Sequence, residues 1–315
     1  MELERLKDIL RTVKEFRQIE GWKFTRITSG GASPNKFRLR NGKKDYYVKE
    51  INEQERRILP VLVAIKSKLI PPVAHPDLLA KDVLVSPYLG PCVRPGGKLE
   101  PRLYREYART QNTLNDPAVL RRLKASHGFK GNTGTAAFYR SGVGLDLSGP
   151  IKCVRRAKRK FGWPFFDVWL KALASIERRM PRIAREYAGM PFGRLHYDFR
   201  EDNIVGKPQR LADWGSSYDH GPFMYDVALH IGGDDRAWKA FVETSDICRK
   251  ALLGDLARWL WLASCIRLTE KAWHTDPRQG WVKTYARRSV FHEMDRFSWM
   301  PRLALSRAGK EGMSQ

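Results

Sequence analysis

Residues 22–51 read WKFTRITSGGASPNKFRLRNGKKDYYVKEI, and no other stretch constrains the fold as much. Short runs containing Thr, Phe, Tyr, Ile and Val are separated by turn residues, as in strands with close connections. SGGASPN at 29–35 breaks the first pair of strands, and Asn41-Gly42 stands where a tight hairpin precedes the next. The order is therefore strand, glycine-containing loop, strand, hairpin, strand. Before it, MELERLKDILRTVKEFR carries Leu3, Leu6, Ile9, Leu10, Val13 and Phe16 in an amphipathic helical pattern. After it, NEQERRILPVLVAIKSKL reads as a helix with Pro60 as a break or kink. DVLVSPYLG at 82–90 reads as a buried strand entering a connection between domains.

Beyond residue 91 the pattern turns helical. PFFDVWLKALASIERRMPRIAREYA and LLGDLARWLWLASCIRLTEKAW both place apolar residues at helical spacing. Trp259, Trp261, Trp273, Trp281 and Trp299 are read as core rather than as a stacking surface. Residues 125–150, rich in Gly, Ser and Thr without a period, read as a long loop or a pair of irregular strands. The final AGKEGMSQ is expected to fray.

With 315 residues and 42% hydrophobic content, the chain can bury a core. No apolar run reaches the ~18 residues a membrane span needs, and the first helix pattern is not a secretory signal. Cys92, Cys153, Cys248 and Cys265 form no CxxC pair, which points to a reducing, cytoplasmic setting. The net charge of +24 is unevenly spread. Residues 101–190 hold 19 Lys and Arg against 6 Asp and Glu, whereas residues 191–250 hold 8 against 10. The densest basic piece, IKCVRRAKRKFGW at 151–163, reads either as a solvated face or as a docking surface for an anion.

Into this basic chain LHYDFREDNIV at 195–205 sets Asp198, Glu201 and Asp202, and LADWGSSYDHGPFMYDVA at 211–228 adds Asp213, Asp219 and Asp226. Such a concentration suits a cation and whatever that cation carries. Asp198 lies five residues before Asn203, close enough for one compact loop to aim both into one site. Asn203 and Asp213 offer an amide oxygen and a carboxylate, the hard donors magnesium prefers. On the strand YYVKEI, Tyr47 and Lys49 share one face while Tyr46 and Val48 share the other.

HYDFREDN fits H-x-D-x-x-x-x-N at His196, Asp198 and Asn203, and LADW follows with Asp213. Upstream stand a Gly-containing loop, a strand Lys and a helix opening with Glu. This order, over residues ~22–230, resembles the aminoglycoside phosphotransferase and choline kinase branch of the protein-kinase-like fold. The resemblance implies an α+β, bilobal architecture with a small sheet-rich N-lobe at 1–90, a hinge at about 86–90 and a larger, mostly helical C-lobe at 91–315. It implies ATP and Mg2+ as cofactors. Asp198 would orient the acceptor hydroxyl, and Asn203 and Asp213 would hold the metal. Lys49 would bridge the α- and β-phosphates, paired with Glu55; Glu53 competes for that pairing. Gly30, Gly31 and Ser33 would cover the phosphates, and the backbone of Ser86 and Tyr88 would meet the adenine edge. Arg200 would reach the transferred phosphate or, equally, pair with Glu201 or Asp202. His196 is expected to brace the catalytic loop rather than act as a base, and Asp226 to brace it from the following helix.

The implied activity is ATP-dependent transfer of a phosphoryl group to a hydroxyl of a non-protein acceptor. The short interval from Asn203 to Asp226 leaves no room for the long activation segment of a protein kinase. A cationic aminoglycoside would be repelled by the basic region, so a neutral or anionic sugar, metabolite, glycolipid or nucleic acid suits the charge better. An anionic partner at 152–160, either a nucleic acid or an acidic membrane surface, is the companion expectation. A binding protein on the same scaffold with weak catalysis is the alternative.

Overall fold

The computed structural model describes residues 3–27, 35–94, 97–119, 121, 147–162, 165–181, 183, 190–222, 224–228 and 234–273. Contacts divide the chain into two compact units. One comprises Met1–Arg94, Thr113–Lys130 and Asp198–Ser217; the other comprises Pro95–Asn112, Gly131–Tyr197 and Tyr218–Gln315.

In the first unit, strands β1 (Lys23–Arg26), β2 (Lys36–Asn41), β3 (Lys44–Glu50) and β4 (Val83–Pro87) form one antiparallel sheet in that order. Asn41 pairs with Lys44 across the hairpin, and Gly42 at the turn takes φ 57°, which a Cβ would disfavour. Alternation then sorts the side chains. Phe37, Leu39, Val48, Val83 and Val85 enter one core. Helix α1 (Leu3–Arg11) adds Leu6 and Leu10, and the following turns add Phe16, Ile19 and Trp22. Phe16 meets Trp22 edge-on with centroids 5.0 Å apart.

Helix α2 (Glu53–Ala64) starts at a full capping box, with Asn52 accepting from the Glu55 amide and Glu55 reaching back to the Asn52 amide. The helix continues through Pro60 without a break. Ile58, Leu59, Val61 and Leu62 are buried around the proline, and that packing offsets the single backbone hydrogen bond Pro60 forgoes. A short hairpin of β6 (Ile204–Val205) and β7 (Arg210–Leu211) completes this unit.

The second unit carries α3 (Pro101–Asn115, whose last turn groups with the first unit), α4 (Ser148–Phe161) and α5 (Phe165–Arg178). It also holds the β5 (Phe192–Leu195) and β8 (Tyr218–Pro222) pair, then α6 (Asp235–Val242), α7 (Asp246–Lys250) and α8 (Leu253–Trp273). Helix α8 packs on α4 and α5. It is buried on several faces, with Trp259, Trp261, Leu262, Cys265, Ile266 and Leu268 all inside. Both tryptophans are thus core, as expected; the side chain of Trp273, and Trp281 and Trp299, lie outside the described residues. The expected irregular segment at 125–150 ends earlier than its composition suggests, because Ser148, Gly149 and Pro150 form the first turn of α4. Proline suits a first turn, where its missing N–H has no acceptor to lose. Residues 122–146 and the terminal AGKEGMSQ lie outside the described residues.

Candidate active site

The first unit gathers its charged chemistry around Lys49. Strand β3 buries this lysine on the face opposite Val48, with 2% of its surface exposed. Its Nζ lies 2.6 Å from Glu55 Oε1 and donates to Asp213 Oδ1 at 2.8 Å. Burial alone would push the Lys49 pKa down, but Glu55 and Asp213 more than offset it, and the ammonium is held charged. Burial raises the Glu55 pKa while Lys49 works against it. Glu53, the alternative partner, is exposed and pairs with Arg57. Helix geometry explains the choice: Glu55 is the N3 residue of the capping box, so its carboxylate is already turned back toward the strand end.

Asn52 ties this pair to the segment carrying Asp213. Its side-chain nitrogen donates to the Gly215 carbonyl at 3.1 Å while its oxygen caps α2. Gly215 allows this approach, since a Cβ there would sit 2.6 Å from Asn52 Nδ2. Asp213 itself adopts left-handed backbone angles, φ 60° and ψ 65°. That conformation is uncommon for a residue with a Cβ, and such residues concentrate at functional sites. Buried Trp214 anchors the turn by donating to the Leu211 carbonyl at 3.0 Å.

The second carboxylate group lies on the preceding loop. Asn203 Nδ2 donates to Asp198 Oδ2 at 3.0 Å and to the Asp198 carbonyl at 2.8 Å. This fixes the amide so that its oxygen faces away from Asp198. Asn203 and Asp213 are linked through the β6–β7 hairpin, where the Ala212 amide donates to the Asn203 carbonyl at 2.8 Å. Asn203 offers an amide oxygen and Asp213 a carboxylate, hard donors of the kind suited to Mg2+, which takes few protein ligands and completes its shell with water and phosphate. Among the described residues no cluster of three or more His, Cys, Asp or Glu is placed to hold a metal unaided. Arg200 Nε lies 3.0 Å from Asp198 Oδ1 and 3.0 Å from Asp202 Oδ1. Of the carboxylates read from the sequence as partners, Arg200 pairs with Asp202; it also pairs with Asp198, which was not among them.

In the second unit, Asp226 is fully buried and grips the backbone leading to this loop. Its Oδ2 accepts from the His196 amide at 2.6 Å and from the Tyr107 hydroxyl at 2.6 Å. Burial pushes the Asp226 pKa up, opposed by His196, Tyr107 and Arg267. Arg267, 1% exposed, donates to the Tyr197 carbonyl at 2.9 Å and to the Tyr225 hydroxyl at 2.7 Å. Tyr197 has φ 69° and stacks on Tyr225 with centroids 5.3 Å apart. The bend immediately before Asp198 is thus held by side chains of a helix more than sixty residues downstream, a brace not visible in the linear motif.

The residues expected at the adenine edge, Ser86 and Tyr88, lie at the end of β4. The Tyr88 amide already donates to the Asp45 carbonyl at 2.9 Å, so it is not a free donor for a base edge. Ser86 lies opposite Tyr47 in the β3–β4 ladder, where its backbone is engaged in the sheet. The Tyr88 ring instead lies under the Arg38 guanidinium at 4.0 Å. Gly30, Gly31 and Ser33 lie outside the described residues. Asp234 caps α6, as a surface acid would. Sequence reasoning missed Lys36, which is 5% exposed and pairs with Lys49 across β2–β3. Counting outward from the Asn41-Gly42 turn would have found it.

These elements define a protein-kinase-like fold, and its structural neighbours are small-molecule kinases and aminoglycoside phosphotransferases. An AMP-bound spectinomycin phosphotransferase is similar at TM-score 0.59 and 12% identity, covering 97% of this chain and 98% of that one. A choline kinase from Cryptosporidium parvum is similar at TM-score 0.57 and 10% identity, covering 98% and 97%. A Plasmodium vivax ethanolamine kinase is similar at TM-score 0.51 and 12% identity, covering 94% and 86%. At such identities the likeness concerns the fold. No protein-family model matches the sequence, and no curated protein matches it.

Proposed function

We propose that the chain is an ATP-dependent phosphotransferase that moves the γ-phosphate to a hydroxyl of a non-protein acceptor. The observation that carries this reading is Lys49 held between Glu55 and Asp213 at 2.6 and 2.8 Å. The same unit places Asp198 and Asn203 in hydrogen-bond contact. Phosphoryl transfer asks the protein mainly for positioning and for charges that meet those of the phosphates. Lys49 would hold the α- and β-phosphates, and Glu55 would keep its ammonium aimed. Asn203 and Asp213 would hold Mg2+, which supplies neutralisation of the phosphate oxygens. Asp198 would accept the hydrogen bond of the acceptor hydroxyl and so aim its oxygen. Arg200, poised on Asp198, would stabilise charge on the transferred group. The hinge near 86–90 would border the nucleotide, with donors other than the Tyr88 amide. The intact set of Lys49, Asp198, Asn203 and Asp213 argues against a binding protein that has lost catalysis.

Similar folds serve enzymes named for choline, ethanolamine and spectinomycin. Charge argues for a different acceptor here. Helix α4 presents a groove of about 600 Å³ lined by Lys152, Arg155, Arg156, Lys158 and Arg159, with Leu170 from α5. Such a surface repels polycations and favours neutral or anionic small molecules or glycoconjugates. No described helix is long and apolar enough to cross a membrane, and a cytoplasmic setting suits the ATP requirement. The test is ATP turnover with Mg2+ against acceptors grouped by charge. Turnover confined to neutral or anionic alcohols is the expected result; turnover confined to amines would overturn the acceptor assignment, and no turnover with any group would overturn the activity.

A further inference from the structure

The backbone that leads into Asp198 is gripped by side chains from several elements. On α3, Gln111 Nε2 donates to the Arg194 carbonyl at 3.0 Å and to the Tyr107 hydroxyl at 3.0 Å. That hydroxyl and the His196 amide both donate to Asp226 Oδ2, each at 2.6 Å. The peptide joining Tyr197 to Asp198 falls to Arg267, in the C-terminal half of α8. Tyr197 sits in the left-handed region at φ 69°, which a residue with a Cβ keeps only where its surroundings dictate it. Arg267 Nη1 donates to the Tyr197 carbonyl at 2.9 Å and to the Tyr225 hydroxyl at 2.7 Å. Its guanidinium lies 4.5 Å from the Tyr225 ring centroid, and the Tyr225 ring stacks on that of Tyr197 with planes 7° apart. Arg267 thus holds Tyr197 at its carbonyl and, through Tyr225, at its ring. The peptide is planar, so the Tyr197 carbonyl and the nitrogen and Cα of Asp198 move as one body. Holding that carbonyl sets the direction in which the chain enters Asp198.

We infer that Arg267 is a positioning residue for phosphoryl transfer, acting through the Tyr197 carbonyl to hold Asp198 at the angle from which its carboxylate meets the acceptor hydroxyl. This rests on the activity proposed above. In that step the acceptor oxygen bonds to the γ-phosphorus and passes its proton to Asp198. The bond from phosphorus to the bridging oxygen breaks, and its electron pair leaves on ADP. Arg267 takes no part in these bond changes, so it should govern the rate of transfer and leave nucleotide binding alone.

The experiment compares kcat and KM for MgATP, with the neutral and anionic alcohols as acceptors. The proteins are the full chain, Arg267→Lys, Tyr225→Phe, Asp198→Asn, and each of the first two variants combined with Asp198→Asn. Lysine keeps the charge but lacks the planar fork that reaches the carbonyl and the hydroxyl together. A misplacement of about 1 Å can cost about a hundredfold, so Arg267→Lys should lower kcat at least about tenfold. Its KM for ATP should stay within about twofold of wild type. Tyr225→Phe keeps the stacked ring and loses only the hydroxyl, so its kcat should fall less. In the Asp198→Asn background either substitution should change the remaining kcat by less than about twofold, because the carboxylate it aims is gone. A merely structural role would lower kcat by the same factor with or without that carboxylate. Equal factors in the two backgrounds, or an unchanged kcat in folded Arg267→Lys, would overturn the assignment while the phosphotransferase reading stands. If Arg267→Lys does not fold, the same comparison with Tyr225→Phe decides. If the wild-type chain turns over no ATP, the activity falls and this role with it.

Discussion

Replacing Glu55 with Gln would remove one charge from the buried Lys49 pair and little else. Gln keeps the length of the side chain and can still close the capping box with the Asn52 amide. The pair is 2.6 Å apart with each side chain 3% exposed. At an effective dielectric near 20, the gross attraction at that distance is about 6 kcal/mol. Several kcal/mol of this is offset by the cost of keeping the Glu55 carboxylate from water. Removing one partner of a buried pair typically costs about 3–5 kcal/mol, because the other charge is left alone. Here Lys49 retains Asp213 at 2.8 Å, so the loss should fall below that range, at about 2 kcal/mol. Urea unfolding followed by tryptophan fluorescence reads this directly. With a slope of about 2–3 kcal/mol per molar, the midpoint should drop by roughly 0.7–1 M without a change in slope. Asp213→Asn should cost less, since that side chain is 30% exposed, and the double variant should cost more than the sum of the two because Lys49 then has neither carboxylate. A midpoint unchanged in Glu55→Gln, or strict additivity of the two substitutions, would refute the view that the two acids share one buried ammonium.

Asp198→Asn should lower turnover by at least about a hundredfold, the lower range for a general acid–base group, with nucleotide affinity retained in a binding assay. Gly215→Ala should destabilise the chain by about 1–2 kcal/mol, because its Cβ would lie 2.6 Å from Asn52 Nδ2 and displace the side chain that caps α2; the urea midpoint measures it. Neutralising Lys152, Arg155 and Arg159 in the α4 groove should weaken an anionic acceptor and flatten the salt dependence of its KM between 0.1 and 1 M salt, where the Debye length falls from about 10 to 3 Å. Equal salt slopes for variant and wild type would return that helix to an ordinary solvated face.

Much of the first unit was legible because its connections are short. The hairpin at Asn41-Gly42 fixes the register of β2 against β3, and period-two alternation then assigns each residue to a face. The placement of Lys49 opposite the Val48 core follows from that alone. The spacing from Asp198 to Asn203 similarly confined both groups to one loop, and the structure closes them at 3.0 Å. The partner of Lys49 was narrowed only to Glu53 or Glu55, since apolar periodicity locates a helix but not its first residue. The capping box decides that question: it makes Asn52 the cap, which points Glu55 back and leaves Glu53 outside.

Sequence reasoning failed where a group's surroundings come from distant parts of the chain. The backbone of Ser86 and Tyr88 was expected to meet a base edge; the Tyr88 amide closes the sheet onto Asp45, a partner set by the register of β4 and not readable from the local sequence. Arg267 lies in a helix whose residues are buried on several faces, so no polar stripe sets it apart, and only tertiary packing brings it to the Tyr197 carbonyl. Lys36 is the instructive case. It was within reach of the hairpin argument, but a lysine beside a glycine-containing turn reads as solvated unless its cross-strand neighbour is counted. Once counted, the neighbour is Lys49, and the sheet is seen to bury two positive charges opposite each other.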